Sequence, residues 1–355
     1  MKKIKSIKSV VKVPQKLKRR NNHTTELGHS RVTNETVGAH REEVLGKARK
    51  YIYPLQQSKH KLVVVSITLF LLAVVTFFTY CTLALYKFKS NSGFLYRVTQ
   101  VIPFPVARSG SDFVSYENYF FEINRYTHYY RTQQSLDFNS EAGQLQLAEF
   151  KKRALEKVIN DAYIKELAAQ KGITVSQSEV DDEIAVVRNQ NRLGANDKEF
   201  QSVLKDFWNW DENDFKRSLK TQLLSQKVVS ALDTATHDRA NAALAQLKNG
   251  KDFPTLAAEA SEDPAGKAAG GSYGFPIDKT NRDINPSTID ALFKLKDNEY
   301  SPIIDVGYGL EIVKRVKTEA DGKLTAAHIV FNFKDAGTYI NDLKDKKKTR
   351  AYLRL

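Results

Sequence analysis

The order of apolar and polar positions separates one long apolar stretch from a series of amphipathic segments. Residues 62–86 hold no charged side chain in 25 positions. As an α-helix they would span about 37 Å, against about 30 Å for the hydrocarbon core of a bilayer. A buried core helix rarely runs so long without a polar face, and the long preceding segment differs from the short n-region of a cleavable signal peptide. The pattern predicts an uncleaved transmembrane anchor.

Apolar residues at helical spacing, bounded by capping signals, predict a helical region after the anchor. One predicted helix ends at Gly172, and the next begins at Ser176 with Glu179 in capping-box spacing. Another begins in the acidic stretch at Asp211 and ends near Leu232. The predicted helices cover residues 147–172, 176–190, 211–232, 237–261 and 286–295.

Two stretches near the C-terminus predict strands, namely "GLEIVKRV" at 309–316 and "AAHIVFNF" at 326–333. The connection between them contains Asp321-Gly322, a sequence typical of a hairpin turn. Upstream, Gly270 and Gly271 satisfy the need of a tight turn for positive φ or close backbone approach. These features predict an α+β module after about residue 233.

The formal charge of +14 is confined almost entirely to one end of the chain. Residues 1–61 hold 16 Lys and Arg against 4 Asp and Glu, so the other 294 residues carry only +2. By the positive-inside rule, this segment faces the cytoplasm and the rest of the chain after the anchor is extracytoplasmic. We expect part of it to be disordered, and residues from Thr33 to form an amphipathic helix on the inner membrane face.

Other function classes receive little support from the composition. The basic segment lacks the aromatic and basic interleaving of nucleic-acid binders, so no nucleic-acid partner is expected; a cytoplasmic RNA or ribosome adaptor is the weakest alternative. Cys81, the single cysteine, lies within the anchor, so the external part depends on packing without disulfides. No His/Cys cluster or phosphate-binding loop is present, and no metal or cofactor is expected.

The predicted helical region resembles the N-terminal chaperone domain of SurA and PrsA-type foldases. The resemblance covers roughly residues 100–232 and is most specific in "KGITVSQSEVDDEI". It implies a helical cradle that binds unfolded polypeptide in apolar grooves. Trp208 and Trp210 are candidates to line such a groove, and core packing is an equal alternative for both.

The following module resembles a parvulin-type peptidyl-prolyl isomerase domain, through "LKNGKDFPTLAAEASEDPAGKAAGGSYGF" and then "ALFKLKDNEYSPIID". The resemblance implies isomerisation of X-Pro bonds without cofactor or necessary covalent step. Such a site lowers the resonance barrier of about 18–20 kcal/mol by desolvating the bond and binding the proline ring. Isomerisation takes tens of seconds unaided, so a foldase outside the membrane has a substrate.

The resemblance also implies positions for the site. Asp263 lies where the family has a cysteine or aspartate, although a loop carboxylate that caps nearby amides is an equal interpretation. The family's last-strand histidine is replaced by Glu311, which accepts hydrogen bonds but cannot act as a neutral imidazole. The predicted substrate-binding residues are Tyr273 and Ile284, together with Thr288 in place of a phenylalanine and its neighbours Ile289 and Phe293.

The histidine of the family's first strand is missing at its usual place before the module's first helix. The segment with first-strand character comes last, at 326–333, and contains His328. In parvulins the first and last strands are neighbours, so a hairpin would place His328 beside Glu311 by circular permutation. The alternative is that 324–355 begins a second, truncated parvulin copy; we favour permutation, because an unpaired strand would leave backbone groups unsatisfied.

The sequence thus predicts a single transmembrane helix, an external α-helical chaperone domain and an α+β parvulin-like domain with a small antiparallel sheet. The predicted function is a membrane-anchored extracytoplasmic foldase with prolyl isomerase activity on secreted or surface polypeptides. A catalytically inactive, peptide-binding holdase is the alternative, and the oligomeric state stays open. The predicted divisions are a basic segment at 1–61, anchor at 62–86, linker at 87–110, helical domain at 111–232, parvulin-like domain at 233–318 and C-terminal strand and helix at 319–355.

Overall fold

The computed structural model describes residues 33–52, 54–110, 112–189, 193–194, 196–347 and 349–355. The described chain divides into two compact units, which cover residues 1–77 and 78–355. The predicted disorder in the basic segment concerns residues up to 32, which lie outside the described residues.

The first unit contains α1 (Asn34–Ile52) and most of α2 (Pro54–Thr82). The amphipathic helix predicted from Thr33 is confirmed as a helix, and its apolar residues Val37, Val44 and Leu45 are exposed. In the described chain, one helical stretch, His60–Lys87, is long and apolar enough to cross a membrane, with a mean hydropathy of 2.7. The second unit begins in the last turns of α2.

Elements of the second unit up to the parvulin-like module are a π-helical turn (Leu83–Lys87), α3 (Gly93–Val101), β1 (Pro105–Ser109), β2 (Asp112–Ser115), α4 (Tyr116–Gln133), α5 (Glu141–Lys171), α6 (Gln177–Asn189), α7 (Asp197–Trp208) and α8 (Glu212–Leu232). Those that follow are α9 (Thr234–Lys248), α10 (Phe253–Ala260), α11 (Pro264–Ala268), α12 (Pro286–Lys294), β3 (Ile304–Asp305), β4 (Gly309–Thr318), β5 (Leu324–Asn332), α13 (Ala336–Lys346) and β6 (Arg350–Ala351).

The segment at 87–110, predicted as an extended linker, contains α3 and β1. Ser92 caps α3 by accepting a hydrogen bond from the Leu95 amide, and Leu95 and Thr99 are buried. Pro103 lies between α3 and β1, and Pro105 is the first residue of β1, which pairs with β2. The prolines therefore mark the end of a helix and the start of a strand rather than a free connection.

Helices α4 to α8 form the helical domain. The residues predicted to end one helix and start the next, Gly172 and Ser176, do so in the structure. Gly172 ends α5 with a φ of 66°, and the Ser176 and Glu179 side chains and amides bond reciprocally at the start of α6. Trp210 is buried and stacks on Phe121 with 5.0 Å between ring centroids. Trp210 thus belongs to the core, and Trp208 packs against the same cluster.

The predicted helix at 237–261 is two helices in the structure. Helix α9 ends at Lys248, and Gly250 then takes a φ of 89°, which reverses the chain. Asp252 caps α10 by accepting a hydrogen bond from the Thr255 amide, and Pro254 occupies its first turn. A proline in the first turn costs no intrahelical hydrogen bond, because the amide at that position has no partner within the helix. The "NGKDFP" sequence therefore ends one helix and starts the next.

The predicted hairpin is confirmed. Strands β4 and β5 pair antiparallel from Gly309–Asn332 to Thr318–Leu324, and the sheet order is β3-β4-β5. Single bridges from Ser272 and Ile277 extend the sheet along the other edge of β5. One face packs on α9 and α10, and the opposite face packs on α12.

The chain after β5 returns to the helical domain. Helix α13 packs on α5 and α8, and β6 pairs with β1 to form a β2-β1-β6 sheet. The Tyr163 hydroxyl donates to the Lys347 carbonyl at 2.9 Å and lies 2.7 Å from Thr349 Oγ1. Strand β5 thus belongs to the same sheet as β4, as the permutation hypothesis expects, and α13 packs on the helical domain.

Asp233 joins the two halves at the point where α8 meets α9. Its buried carboxylate accepts hydrogen bonds from the Thr236 amide and hydroxyl and, at 2.8 Å, from the Lys334 amide just after β5. Burial opposes ionisation, but these donors outweigh it and lower the pKa of Asp233. One side chain therefore fixes both the start of α9 and the end of β5.

We expect Asp233→Ala to lower the free energy of unfolding by about 1–3 kcal/mol, because a helix cap is lost and the Lys334 amide loses its partner. Urea unfolding of the full chain in detergent measures this change. Asp238→Ala on the exposed face of α9 is the control and should change little. Equal stability of the two variants would contradict the joining role of Asp233.

Candidate active site

The pairing of β4 and β5 places a histidine and a glutamate on one face of the sheet. His328 lies opposite Val313, and Glu311 is the next residue of β4 on the same face. His328 Nδ1 lies 2.7 Å from Glu311 Oε1, and the two side chains are only 12% and 6% exposed. The predicted proximity of these residues is therefore present in the structure.

Asp263 approaches the other nitrogen of the same imidazole, with 3.1 Å between His328 Nε2 and Asp263 Oδ2. Its position is fixed by the preceding turn, where the Glu262 amide donates to the Val330 carbonyl and Ser261 Oγ accepts from the Val330 amide. Asp263 also caps α11 by accepting a hydrogen bond from the Gly266 amide at 2.6 Å. The two interpretations of Asp263, a capping carboxylate and a neighbour of His328, are thus compatible.

Gly266 is a site residue that the sequence analysis did not identify. A Cβ at this position would lie 2.4 Å from Asp263 Oδ2 and 2.8 Å from His328 Nε2, so only glycine permits the contact. The requirement predicted for Gly271 is confirmed, since its φ is 90° and a Cβ there would lie 2.8 Å from the His328 carbonyl. The sequence "DPAG" could have indicated Gly266, because it places a glycine three residues after a helix-capping aspartate.

Glu311 accepts further hydrogen bonds from two predicted pocket residues. The Tyr273 hydroxyl donates to Oε1 at 2.8 Å, and the Thr288 hydroxyl donates to Oε2. Thr288 was predicted to bind substrate in place of the family's phenylalanine, but its side chain is fully buried in the structure. The threonine hydroxyl satisfies a carboxylate that is nearly inaccessible to water.

The charges of the site favour a protonated histidine. Burial by itself lowers the pKa of His328, but the hydrogen bonds and charges of Glu311 and Asp263 outweigh it and raise the pKa. Burial raises the pKa of Asp263, yet the Gly266 amide and His328 together lower it. Burial and then Glu311 raise the pKa of Tyr273, which stays a hydroxyl donor. The site therefore places an imidazole with a raised pKa between two carboxylates.

Aromatic side chains form the solvent-facing side of this site. The Tyr273 ring centroid lies 4.1 Å from that of His328 and 6.1 Å from that of Phe275. Phe275 and Tyr308 are both exposed, although most large apolar side chains of this domain are buried. Neither residue was predicted from the sequence. The signal that could have indicated them is an aromatic residue next to a glycine in a loop, as in "GSYGF" and "VGYG".

The substrate-binding role predicted for Ile284 and Ile289 requires correction. Both are buried in the cluster between α12 and the sheet, where they contact the core instead of solvent. Phe293 is partly buried against the same cluster, and Lys279 lies over its ring. The apolar spacing of α12 thus reflects core packing, which is the usual role of such a helix face.

Comparison with known protein families agrees with these two structural parts. The SurA-like N-terminal domain family matches residues 55–229, and the PPIC-type PPIase domain family matches residues 223–317. The chain is a SurA/PrsA-like protein with a parvulin-type domain. The second match ends before β5, so the strand that carries His328 lies outside the part of this SurA/PrsA-like chain that the family covers.

Similar proteins with curated names are foldases and chaperones. "Foldase protein PrsA" of Lacticaseibacillus paracasei is 28% identical over 33% of this chain and 47% of its own length. "Chaperone SurA" of Yersinia pestis bv. Antiqua (strain Antiqua) is 31% identical over 35% of this chain and 29% of its own length. The chain therefore spans less than half the length of these relatives.

A solved structure of the foldase protein PrsA from Streptococcus pneumoniae str. Canada MDR_19A shows a weaker likeness. The sequence identity is 19% and the TM-score 0.23, over 57% of this chain and 80% of that chain. The family matches and the described geometry carry the assignment.

The pKa of His328 provides a direct test of the site. In Glu311→Gln, one of the two charges that raise the pKa is removed, so we expect the pKa of His328 to fall. In the parent chain, the stabilisation due to protonated His328 is complete below the unfolded pKa of about 6.5 and is lost as pH rises through the raised folded pKa. NMR titration of the His328 ring measures the change, with His237 as the internal reference. An unchanged titration of His328 would contradict the ion pair.

Proposed function

We propose that this chain is a membrane-anchored extracytoplasmic foldase whose parvulin domain isomerises X-Pro bonds of unfolded secreted or surface polypeptides. The observation that carries the proposal is the connected set of Asp263, His328 and Glu311 beside exposed aromatic side chains. The PPIC-type match and the foldase relatives support it. The helix at His60–Lys87 supports anchoring, and the basic segment before it supports an N-terminus in the cytoplasm.

The proposed chemistry uses electrostatics and desolvation. Amide resonance places negative charge on the carbonyl oxygen and gives the C–N bond its barrier. Asp263, the most exposed of the three residues at 31%, presents a carboxylate that disfavours this charge when the carbonyl of an X-Pro bond lies beside it. The His328 imidazolium holds Asp263 in place, and Glu311 holds the imidazolium.

The aromatic side chains complete the proposed substrate site. Tyr273 is bonded to Glu311 and packs against His328, which leaves Phe275 and Tyr308 to contact a proline ring from the solvent side. Contact with these rings removes water from the imide, and a less hydrated imide rotates more readily. No covalent bond forms or breaks in this scheme.

A holdase without isomerase activity is the second candidate. A cleft of ≈ 390 Å³ lies in the helical domain between β2, α4, α5 and α8. It is lined by Phe121 and Val158 together with charged residues such as Lys157 and Arg217, a mixture suited to a polypeptide with apolar and polar side chains. The replacement of the family histidine by Glu311 also favours this candidate.

The domain boundaries are part of the proposal. We take residues 1–61 as the cytoplasmic segment, 62–86 as the anchor, 111–232 as the client-binding domain and 233–318 as the parvulin-like domain. Residues 319–355 then complete the isomerase sheet through β5 and return to the helical domain through α13 and β6.

The test is cis–trans exchange of X-Pro peptides measured by NMR with the full chain in lipid nanodiscs. We expect the parent chain to accelerate exchange, and Asp263→Asn to reduce kcat/KM by on the order of tenfold or more, because the negative charge beside the carbonyl is lost. Asp290→Asn on the exposed face of α12 is the matched control and should retain activity.

The two candidates give different results in this experiment. Catalysis that Asp263→Asn and Asp290→Asn leave equally intact would contradict the assigned site. Absence of catalysis in the parent chain, with aggregation of an unfolded client still suppressed, would establish the holdase.

A further inference from the structure

The end of the apolar helix is part of the external domain. Ala84 and Leu85 of the π-helical turn are buried, and the Leu85 carbonyl accepts a hydrogen bond from the Tyr116 hydroxyl at 2.7 Å. The Tyr86 hydroxyl donates to the Pro105 carbonyl at 2.6 Å. These bonds join the last turn of the apolar helix to β1 and α4, so the following residues begin at the end of the helix, whose length determines where it leaves the bilayer.

That length places the bilayer surface near Tyr80. About 20 helical residues cross the hydrocarbon core, and counted from Leu62, the first residue after Lys61, they end near Cys81. Tyr80 is exposed, and tyrosine is enriched at the interface between hydrocarbon and water. The π-helical turn and α3 therefore begin where lipid headgroups are expected.

Helix α3 begins six residues after this turn ends and has one exposed face. Its inner face, with Leu95 and Thr99, is buried in the domain. On the opposite face, Phe94 is 54% exposed and Val101, seven positions later, is 82% exposed. Phe94 lies next to Tyr80, with 6.4 Å between the ring centroids. The apolar face of α3 is thus continuous with the interfacial end of the anchor.

Charged residues nearby have the sign that anionic lipids attract. Arg97 lies on the exposed face between Phe94 and Val101, and Lys87 ends the π-helical turn. An amphipathic helix with apolar residues on one side and basic residues at its border is typical of the membrane interface. Basic residues near an anionic surface contribute about 1 kcal/mol each.

We propose that α3 lies in the headgroup layer of the outer leaflet with Phe94 and Val101 inserted, so that the external domain is held against the membrane. The inference rests on the proposed membrane anchoring. The occupant of this face is the lipid surface, because the face adjoins the point where the helix leaves the bilayer. The helix end and α3 then form two attachments, which restrict rotation of the domain.

The test uses the full chain in vesicles of mixed zwitterionic and anionic phospholipids. An environment-sensitive fluorophore is attached at Val101→Cys in a Cys81→Ala chain, and quenching by nitroxide-labelled lipid is measured. We expect quenching several-fold stronger than for the same probe at Lys248→Cys on exposed α9. Phe94→Asp should reduce the quenching at position 101, whereas Leu145→Asp, which replaces an exposed leucine of α5, should not.

The outcomes separate this inference from the membrane anchoring. Protein that floats with the vesicles but shows the same quenching at positions 101 and 248 would overturn the lipid contact of α3. A shielded probe at 101 that lipid nitroxide does not quench would point to a protein partner and also overturn it. Protein that fails to float with the vesicles would overturn the anchoring itself and this inference with it. Isomerase activity does not enter any of these measurements.

Discussion

The structure of the candidate site depends on the antiparallel pairing of β4 with β5. This pairing completes the sheet and places the His328 imidazole within hydrogen-bond distance of Glu311. The same strand positions Asp263, since the turn that precedes it bonds to Val330 of β5. A shift of β5 by one residue would turn His328 to the opposite face, so strand register and site geometry are set by one set of backbone hydrogen bonds.

The order of the strands along the chain also connects the two domains. Because the strand with His328 comes last, the residues after it continue into α13 and β6, which pack on the helical domain. Asp233 bonds to the amide of Lys334 just after β5, so the start and the end of the parvulin-like domain meet at one buried carboxylate. The chain thus enters and leaves the parvulin-like domain at one place. At the start of the second unit, the last turn of the apolar helix packs on the helical domain, where the Tyr116 hydroxyl donates to the Leu85 carbonyl.

Local signals predicted much of this architecture. The apolar run at 62–86, the capping residues Ser176 and Glu179, and the Asp321-Gly322 turn act over a few residues and can be recognised in one sequence. The proximity of His328 to Glu311 followed from the predicted hairpin. Gly266, Phe275 and Tyr308 were not found, since their roles depend on segments far apart in sequence. Ile284 and Ile289 were misassigned because an apolar residue near a site has the same pattern whether it contacts solvent or core.

The central claim is that Asp263 and Glu311 act through one imidazolium on X-Pro bonds. A double-mutant cycle on kcat/KM for peptide isomerisation, with Asp263→Asn, Glu311→Gln and the double variant in the full chain, tests it most directly. The account predicts that the double variant loses little more activity than Asp263→Asn alone, because Glu311 acts on the substrate only by holding His328 against Asp263. Independent losses that multiply in the double variant would contradict this coupling.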